Sequence, residues 1–455
     1  MAQHQPMLGQ RKLWKAFLIF LIPLIATNIL QSLSGTINTV FVGQMMGVQA
    51  IAAVAVFFPI VFLLMAFVIG LSTGATVLVA QAWGAQNIEK VRSVVGSTIF
   101  MTLIGGSMIA LLGVVFAEDI LLILGTDPKV MHLSLPYVRW MLAGSPLIFV
   151  YITYTSILRG VGDSVTPLMA LGLTSLIGLI VTPVLIAGYF GFPELGIIGP
   201  AISTNLGYFA VLIFLAFYLN KKNHPLKPDW DLIKNIRYQP KLSHIILRLG
   251  IPTAIQMMTV SIAGLVIVSL VNRYGAEATA AYGAVNQVLN YIQFPAMSIA
   301  IAASVFGAQA IGAGKANLLN KVTRTALVMN ILITGTLVLM GYLLSKYLMA
   351  LFITDPHVVE MGQELLFIVL WAILFFGASG IFASIMRSSG TVNMPMAINI
   401  AVIVCVEMPC AYLFSDMFGL KGIWYAYALT FVVMCILQGL YYQFVWKKKA
   451  IKVLI

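Results

Sequence analysis

Apolar residues in this chain come in long blocks, not in the alternation of a half-buried strand or the stripe of a surface helix. Twelve blocks are predicted, at roughly 16–41, 51–79, 94–116, 136–157, 168–190, 198–220, 250–271, 279–305, 326–346, 363–385, 396–415 and 423–446, each long enough to cross a hydrocarbon core of about 30 Å as a helix. The ten-residue alternating strands of an outer-membrane barrel are absent. The expected fold class is an all-α polytopic membrane protein with twelve transmembrane helices.

The blocks are written twice. AQAWGA at 80–85 returns as AQAIGA at 308–313, TDP at 126–128 as TDP at 354–356, and SILRGVGDSVTPL at 156–168 as SIMRSSGTVNMPM at 384–396. These windows share one offset, which aligns Arg159 with Arg387 and Pro167 with Pro395. Each copy holds six spans, an even number, so both enter the membrane in the same sense. The implied architecture is two six-helix lobes related by a parallel internal repeat, a plan transporters use with substrate bound near mid-membrane between the repeats. Expected boundaries are an N-terminal lobe over 1–220, a linker over 221–248 and a C-terminal lobe over 249–455. The linker, KKNHPLKPDWDLIKNIRYQPKLSHIILR, is basic and holds a short interfacial helix near Trp230 to Ile236.

Charge changes the picture only by fixing orientation. Of 455 residues, 61% are hydrophobic and 9% charged, far below the quarter expected of a soluble domain. The net charge of +12 does not point to nucleic acid. With the N-terminus inside, all 26 basic residues except Lys129, Arg139, Arg273, Lys346 and Lys421 fall on the inner side, beginning with Arg11, Lys12 and Lys15. Both termini are therefore placed in the cytoplasm of a bacterial inner membrane, with the basic loops gripping anionic lipid head groups. Cys405, Cys410 and Cys435 all lie within spans and read as small core residues.

INTVFVG at 37–43, AQAWGA at 80–85, LRGVGD at 158–163 and NQVLNYIQFP at 286–295 make the chain resemble the multidrug and toxic compound extrusion (MATE) family over essentially its whole length. The resemblance implies a cation-coupled antiporter that exports amphipathic, often cationic organic compounds, working as a monomer without a cofactor beyond its coupling ion, H⁺ or Na⁺. The acids of the best-known branches are missing. Asn38 stands at the first-span acid, Val260 near the seventh-span acid, Phe376 near the tenth-span acid, and Thr182 before Pro183 in the fifth span.

Of the fourteen acids, thirteen lie in loops or at span ends, Glu364 among them at the start of the tenth span. Glu407 alone is deep within a span. An ionised acid at mid-membrane costs roughly 2.5–3.5 kcal/mol on insertion scales, and desolvation favours its neutral form. A carboxyl that gains and loses a proton suits proton antiport, so Glu407 is the candidate coupling residue, with Asn38 as a second, carbonyl-bearing candidate for the cation. The competing reading makes Glu407 a permanently neutral donor, to a carbonyl that Pro409 leaves unpaired or to a neighbouring helix. Tyr282, Asn286, Asn290 and Gln293 form a polar stripe on the eighth span. Their repeat counterparts include Phe58, Phe62 and Met65 in the second span. Acceptors on one wall and aromatic rings on the other suit organic cations, and Gln256 joins the expected substrate contacts. Amides also glue membrane helices together, which is the alternative for each of them.

GLSTG at 70–74 fits a nucleophile pattern, but it lies in an apolar span and not on a strand-to-helix turn. The five histidines are terminal or in loops, and no phosphate-binding loop followed by Lys-Ser or Lys-Thr occurs. No enzyme activity is expected, and an ion gradient supplies the work. The alternative function is a lipid or lipid-linked sugar flippase; a span interior without Lys or Arg argues against anionic head groups.

Overall fold

The computed structural model describes residues 13–455; Arg11 and Lys12, assigned above to the inner side, lie outside the described residues. Ten spans are single lengths of helix or helices interrupted without a strong bend: α1 (Leu13–Met46), α3 (Ile88–Val115), α5 (Val165–Ala187), α6 (Ile198–Lys221), α7 (Pro240–Tyr274), α8 (Ala276–Gly312), α9 (Ala316–Ala350), α10 (Pro356–Ser388), α11 (Asn393–Phe418) and α12 (Leu420–Lys448). A further span, α2 (Val48–Gly84), is interrupted near Val56. The remaining one, α4, is a pair, Pro128–Ala143 and Ser145–Gly160, bent by 49°. Eleven helices thus qualify as spans among the described residues, and twelve when the bent pair counts as one.

Most of the helices outrun the apolar blocks that announced them, because helix continues through polar residues once its first turn is capped. Asp127 accepts from Lys129 N–H at 2.8 Å and Asp355 from His357 N–H at 2.9 Å, each with a proline following at the first helical position. The repeated TDP is therefore a helix start written twice. One consequence is a correction: α10 begins at Pro356, so Glu364 lies about two turns inside it and pairs with Lys421 at 2.8 Å instead of meeting a helix N-terminus.

The bend in α4 has a local cause. Pro146 has no N–H for the Leu142 carbonyl, and Ser145 Oγ donates to that carbonyl instead, at 2.7 Å. Asn205 Nδ2 donates to the Trp140 carbonyl at 2.9 Å. Gly144 makes that approach possible, since a Cβ there would fall 1.8 Å from Asn205 Oδ1. The second copy breaks at the matching place: Leu370–Ala372 is a 3₁₀ turn within α10, and Asn330 Nδ2 donates to the Leu374 carbonyl at 3.0 Å beside Gly377.

Two compact units result, one comprising residues 26–83 and 87–251, the other residues 13–25, 84–86 and 252–455. In the first unit the linker is tied down. Its helix, Trp230–Lys234, is capped by Asp229, which accepts from Leu232 N–H at 3.0 Å and pairs with Arg92 of α3 at 2.9 Å. Partial desolvation pushes the Asp229 carboxyl up, but the Leu232 N–H, Arg92 and Lys227 outweigh it and hold it below the ordinary value of 3.8. Its contribution to docking is thus complete above that value and is lost as pH falls through the lower, folded one. At neutral pH, Asp229→Asn should raise hydrogen exchange over residues 230–236; unchanged protection would show that the pair does not hold the linker.

The second unit is built around α8, with 78% of its apolar core segment buried. Ala302, Ala303, Ala308 and Ala310 are fully buried, and Gly307 lies so near Ser388 of α10 that a Cβ would fall 2.8 Å from its Oγ. Small residues let membrane helices approach where no hydrophobic force drives them together. Phe17 and Phe20 of α1 pack on Phe306 at 4.7 and 5.6 Å between ring centroids.

Candidate functional site

The chain around Glu407 departs from regular helix. Pro409 cannot donate to Cys405, and Ile403–Glu407 opens into a π-helical turn in which Met408 N–H bonds the Ile403 carbonyl, five residues back. The extra residue resets the direction in which the next side chains point. Glu407 is 8% exposed while Pro409, about 200° further round, is exposed. No hydrogen bond or ion pair reaches the Glu407 carboxyl among the described residues, so the freed carbonyl is not its partner.

The neighbouring helix is rich in aromatic side chains. α12, which carries Trp424 and Tyr427, packs against the π turn. The Tyr427 and Tyr282 hydroxyls lie 3.4 Å apart. Trp424 sits 5.6 Å from each ring, fully buried, with its indole N–H unpartnered. Tyr282 and Tyr427 pack against an apolar cluster that includes Ile267, Leu270 and Val271 of α7 and Ala411 of α11. Tyr282 is thus the member of the expected stripe that the structure brings against α12, the helix packed on the π turn. Tyr427 and Trp424 were not singled out from the sequence, where aromatic residues in an apolar span read as ordinary core.

The other expected residues are spread out. Asn286 donates to the Tyr282 carbonyl at 3.1 Å and so satisfies its own helix. Asn290 is exposed and Gln293 half-buried one and two turns on along α8, and Gln256 is half-buried on α7. Phe58, Phe62, Met65 and Asn38 belong to the first unit. Phe58 and Phe62 are 51% and 60% exposed, a pair of aromatic faces one turn apart, whereas Met65 packs on the core made by Val68, Ile148 and Phe149. Asn38 is half-buried on α1. Ser72 of the GLSTG segment is buried in helix and shares a hydrogen bond of 3.0 Å with Thr153.

Spans written as a repeat, with a lone carboxyl and hydroxyl and amide groups set inside them, define a membrane transporter. A family model described as MatE matches residues 23–184 and again 252–413, and the chain belongs to that family. It is 41% identical to the probable multidrug resistance protein YoeA of Bacillus subtilis, over 99% of each chain. To the probable multidrug resistance protein YpnP of the same organism it is 28% identical, over 96% of each. Its fold matches the crystal structure of a mutant of the Vibrio cholerae MATE transporter VcmN with a TM-score of 0.88, at 19% identity, over 96% of this chain and 98% of that one. Six spans per copy and the family's architecture agree with the reading of the sequence.

Proposed function

We propose that this transporter is a secondary multidrug antiporter that exports amphipathic, often cationic organic compounds in exchange for an inward cation, H⁺ in preference to Na⁺. Alternating access comes from rocking of two six-helix lobes, the first over residues 1–220 and the second over 249–455, joined by the 221–248 linker. Both termini face the cytoplasm of the bacterial inner membrane, as the distribution of basic residues requires. The relatives' names as multidrug resistance proteins support the substrate class. Tyr282, Asn286, Asn290, Gln293 and Gln256 supply hydrogen-bonding groups, Phe58 and Phe62 supply ring faces for a cation, and Met65 adapts to different shapes. Asn38 serves as a secondary ligand for the cation.

The observation that carries the choice of ion is the isolation of Glu407. A sodium site needs several oxygens converging on one point, whereas a single carboxyl without polar partners is suited to a proton. Reconstituted protein should accumulate a fluorescent cationic dye under an imposed proton gradient and fail to do so under a sodium gradient alone. Sodium-driven accumulation at equal pH would overturn the assignment.

A further inference from the structure

GLSTG at 70–74, unsuited to a nucleophile, is also Gly-x-x-x-Gly, a surface on which a second membrane helix can lie close. In the first unit the start of α7 lies on it. A Cβ on Gly74 would fall 2.6 Å from the Ile246 carbonyl oxygen, and one on Gly250 would fall 2.9 Å from that of Gly70. This seat is itself fixed to α4, because Ser72 bonds Thr153 and Thr76 donates to the Ser156 carbonyl at 3.1 Å. Nearer the start of α7, Ser243 and Ser97 of α3 are both buried and share a hydrogen bond of 3.1 Å. The linker that feeds α7 is pinned as well. Tyr154 of α4 donates to the Leu226 carbonyl, Arg92 holds Asp229, and a Cβ on Gly96 would strike the Asn235 carbonyl.

The first unit accordingly ends at Ile251, and the second resumes at Pro252 of the same helix. Further along α7, Ile267, Leu270 and Val271 share an apolar cluster with Ala411 and Ile423 of the second unit. Pro252 has no N–H for the Arg248 carbonyl, so α7 lacks a hydrogen bond where it passes from one unit to the other. The exchange is reciprocal: residues 13–25 of α1 belong to the second unit, where Phe17 and Phe20 pack on Phe306.

We propose, on the reading that the two lobes rock, that the linker and α7 as far as Gly250 stay fixed to the first unit and that the chain pivots inside α7 at Gly250–Pro252. A hinge is a few residues that absorb backbone change between parts that hold their shape. Before the pivot, contacts at Leu226, Asp229, Asn235, Ser243 and Ile246 leave the linker nothing to pay out. After it, the apolar cluster holds α7 to the second unit. Between them the helix bends at the place where proline has already removed a bond. GLSTG is then the seat that keeps the start of α7 in place while the rest of the helix moves.

Ser97→Cys with Ser243→Cys, in a protein whose Cys405, Cys410 and Cys435 are replaced by serine, puts two thiols where hydroxyls now bond. Diamide oxidation would join them into a disulfide, and proteoliposomes holding the linked protein should take up dye at the rate of the reduced form. Uptake lost on oxidation and regained with dithiothreitol would show that the start of α7 must leave its seat, which overturns the proposal. Pro252→Ala restores the missing bond and should slow uptake by up to about tenfold, the weight of one helix hydrogen bond, with dye binding unchanged. A wild-type rate in that variant also overturns the pivot. Spin labels on Glu89→Cys, Lys234→Cys and Lys315→Cys, taken in pairs, separate the pivot from the rocking motion. With and without dye, at high and low pH, the 89–234 distance should stay constant while the 234–315 distance changes. A changing 89–234 distance overturns the pivot alone. Two constant distances in a protein that transports remove the rocking reading itself.

Discussion

Glu407→Gln should abolish proton-driven accumulation while leaving dye binding intact. Glutamine occupies nearly the same volume, so the packing of the π turn against α12 is preserved, but it has no proton to give up. The size of the effect comes from the exchange. One proton entering for one monovalent organic cation leaving moves no net charge, so each pH unit supports about a tenfold concentration ratio. In the variant the ratio should fall to about one at any imposed pH difference. Glu407→Asp is a finer test. It keeps the carboxyl and shortens its reach, and should transport slowly with the same thermodynamic limit. Dye equilibrating at the same ratio in both variants would show that the carboxyl's proton is not what couples the fluxes.

Gly144→Val should destabilise the first unit more than loss of the Asp229 pair does. The new Cβ would fall 1.8 Å from Asn205 Oδ1, and Asn205 could not retreat without giving up its bond to the Trp140 carbonyl. Overpacking and a lost hydrogen bond together amount to roughly 2–4 kcal/mol. Gly144→Ala should do the same to a lesser degree. The cause can be separated from a general intolerance of the site by a double substitution. With Asn205→Ala the obstacle is removed, so Gly144→Ala should cost less in that background than in wild type. Melting temperatures of the four purified proteins in one detergent read the coupling. Equal costs in both backgrounds would mean that the close approach to Asn205 does not set the bend.

These two sites also show what the sequence discloses and what it withholds. Glu407 is legible without a structure, because counting acids leaves one in the interior and an apolar run has no use for it. Its π turn is half legible, since Pro409 announces a lost hydrogen bond but not the way the helix absorbs it. Tyr427 and Trp424 are invisible: aromatic residues are common in apolar spans, and only three dimensions place the Tyr427 hydroxyl against that of Tyr282, 145 residues away in the chain. The repeat made the fold readable, down to the TDP that begins α10 as it begins α4. The breaks at Gly144 and Leu370–Ala372 are another matter. Pro146 marks the first, but its counterpart in the second copy is Leu374, and the break there depends on the side chain of Asn330. The polar stripe on α8 is real as a face, yet Asn286 spends its amide on its own helix.

If the carboxyl of Glu407 holds the coupling proton, substrate binding displaces that proton into solution. Purified protein in weakly buffered solution containing a pH indicator is mixed with a cationic substrate at a pH where the carboxyl is protonated. Wild type should release up to one proton for each substrate bound, and Glu407→Gln should bind the substrate and release none. Equal release from both proteins, or none from wild type at any pH where it transports, would mean that Glu407 does not carry the coupling proton.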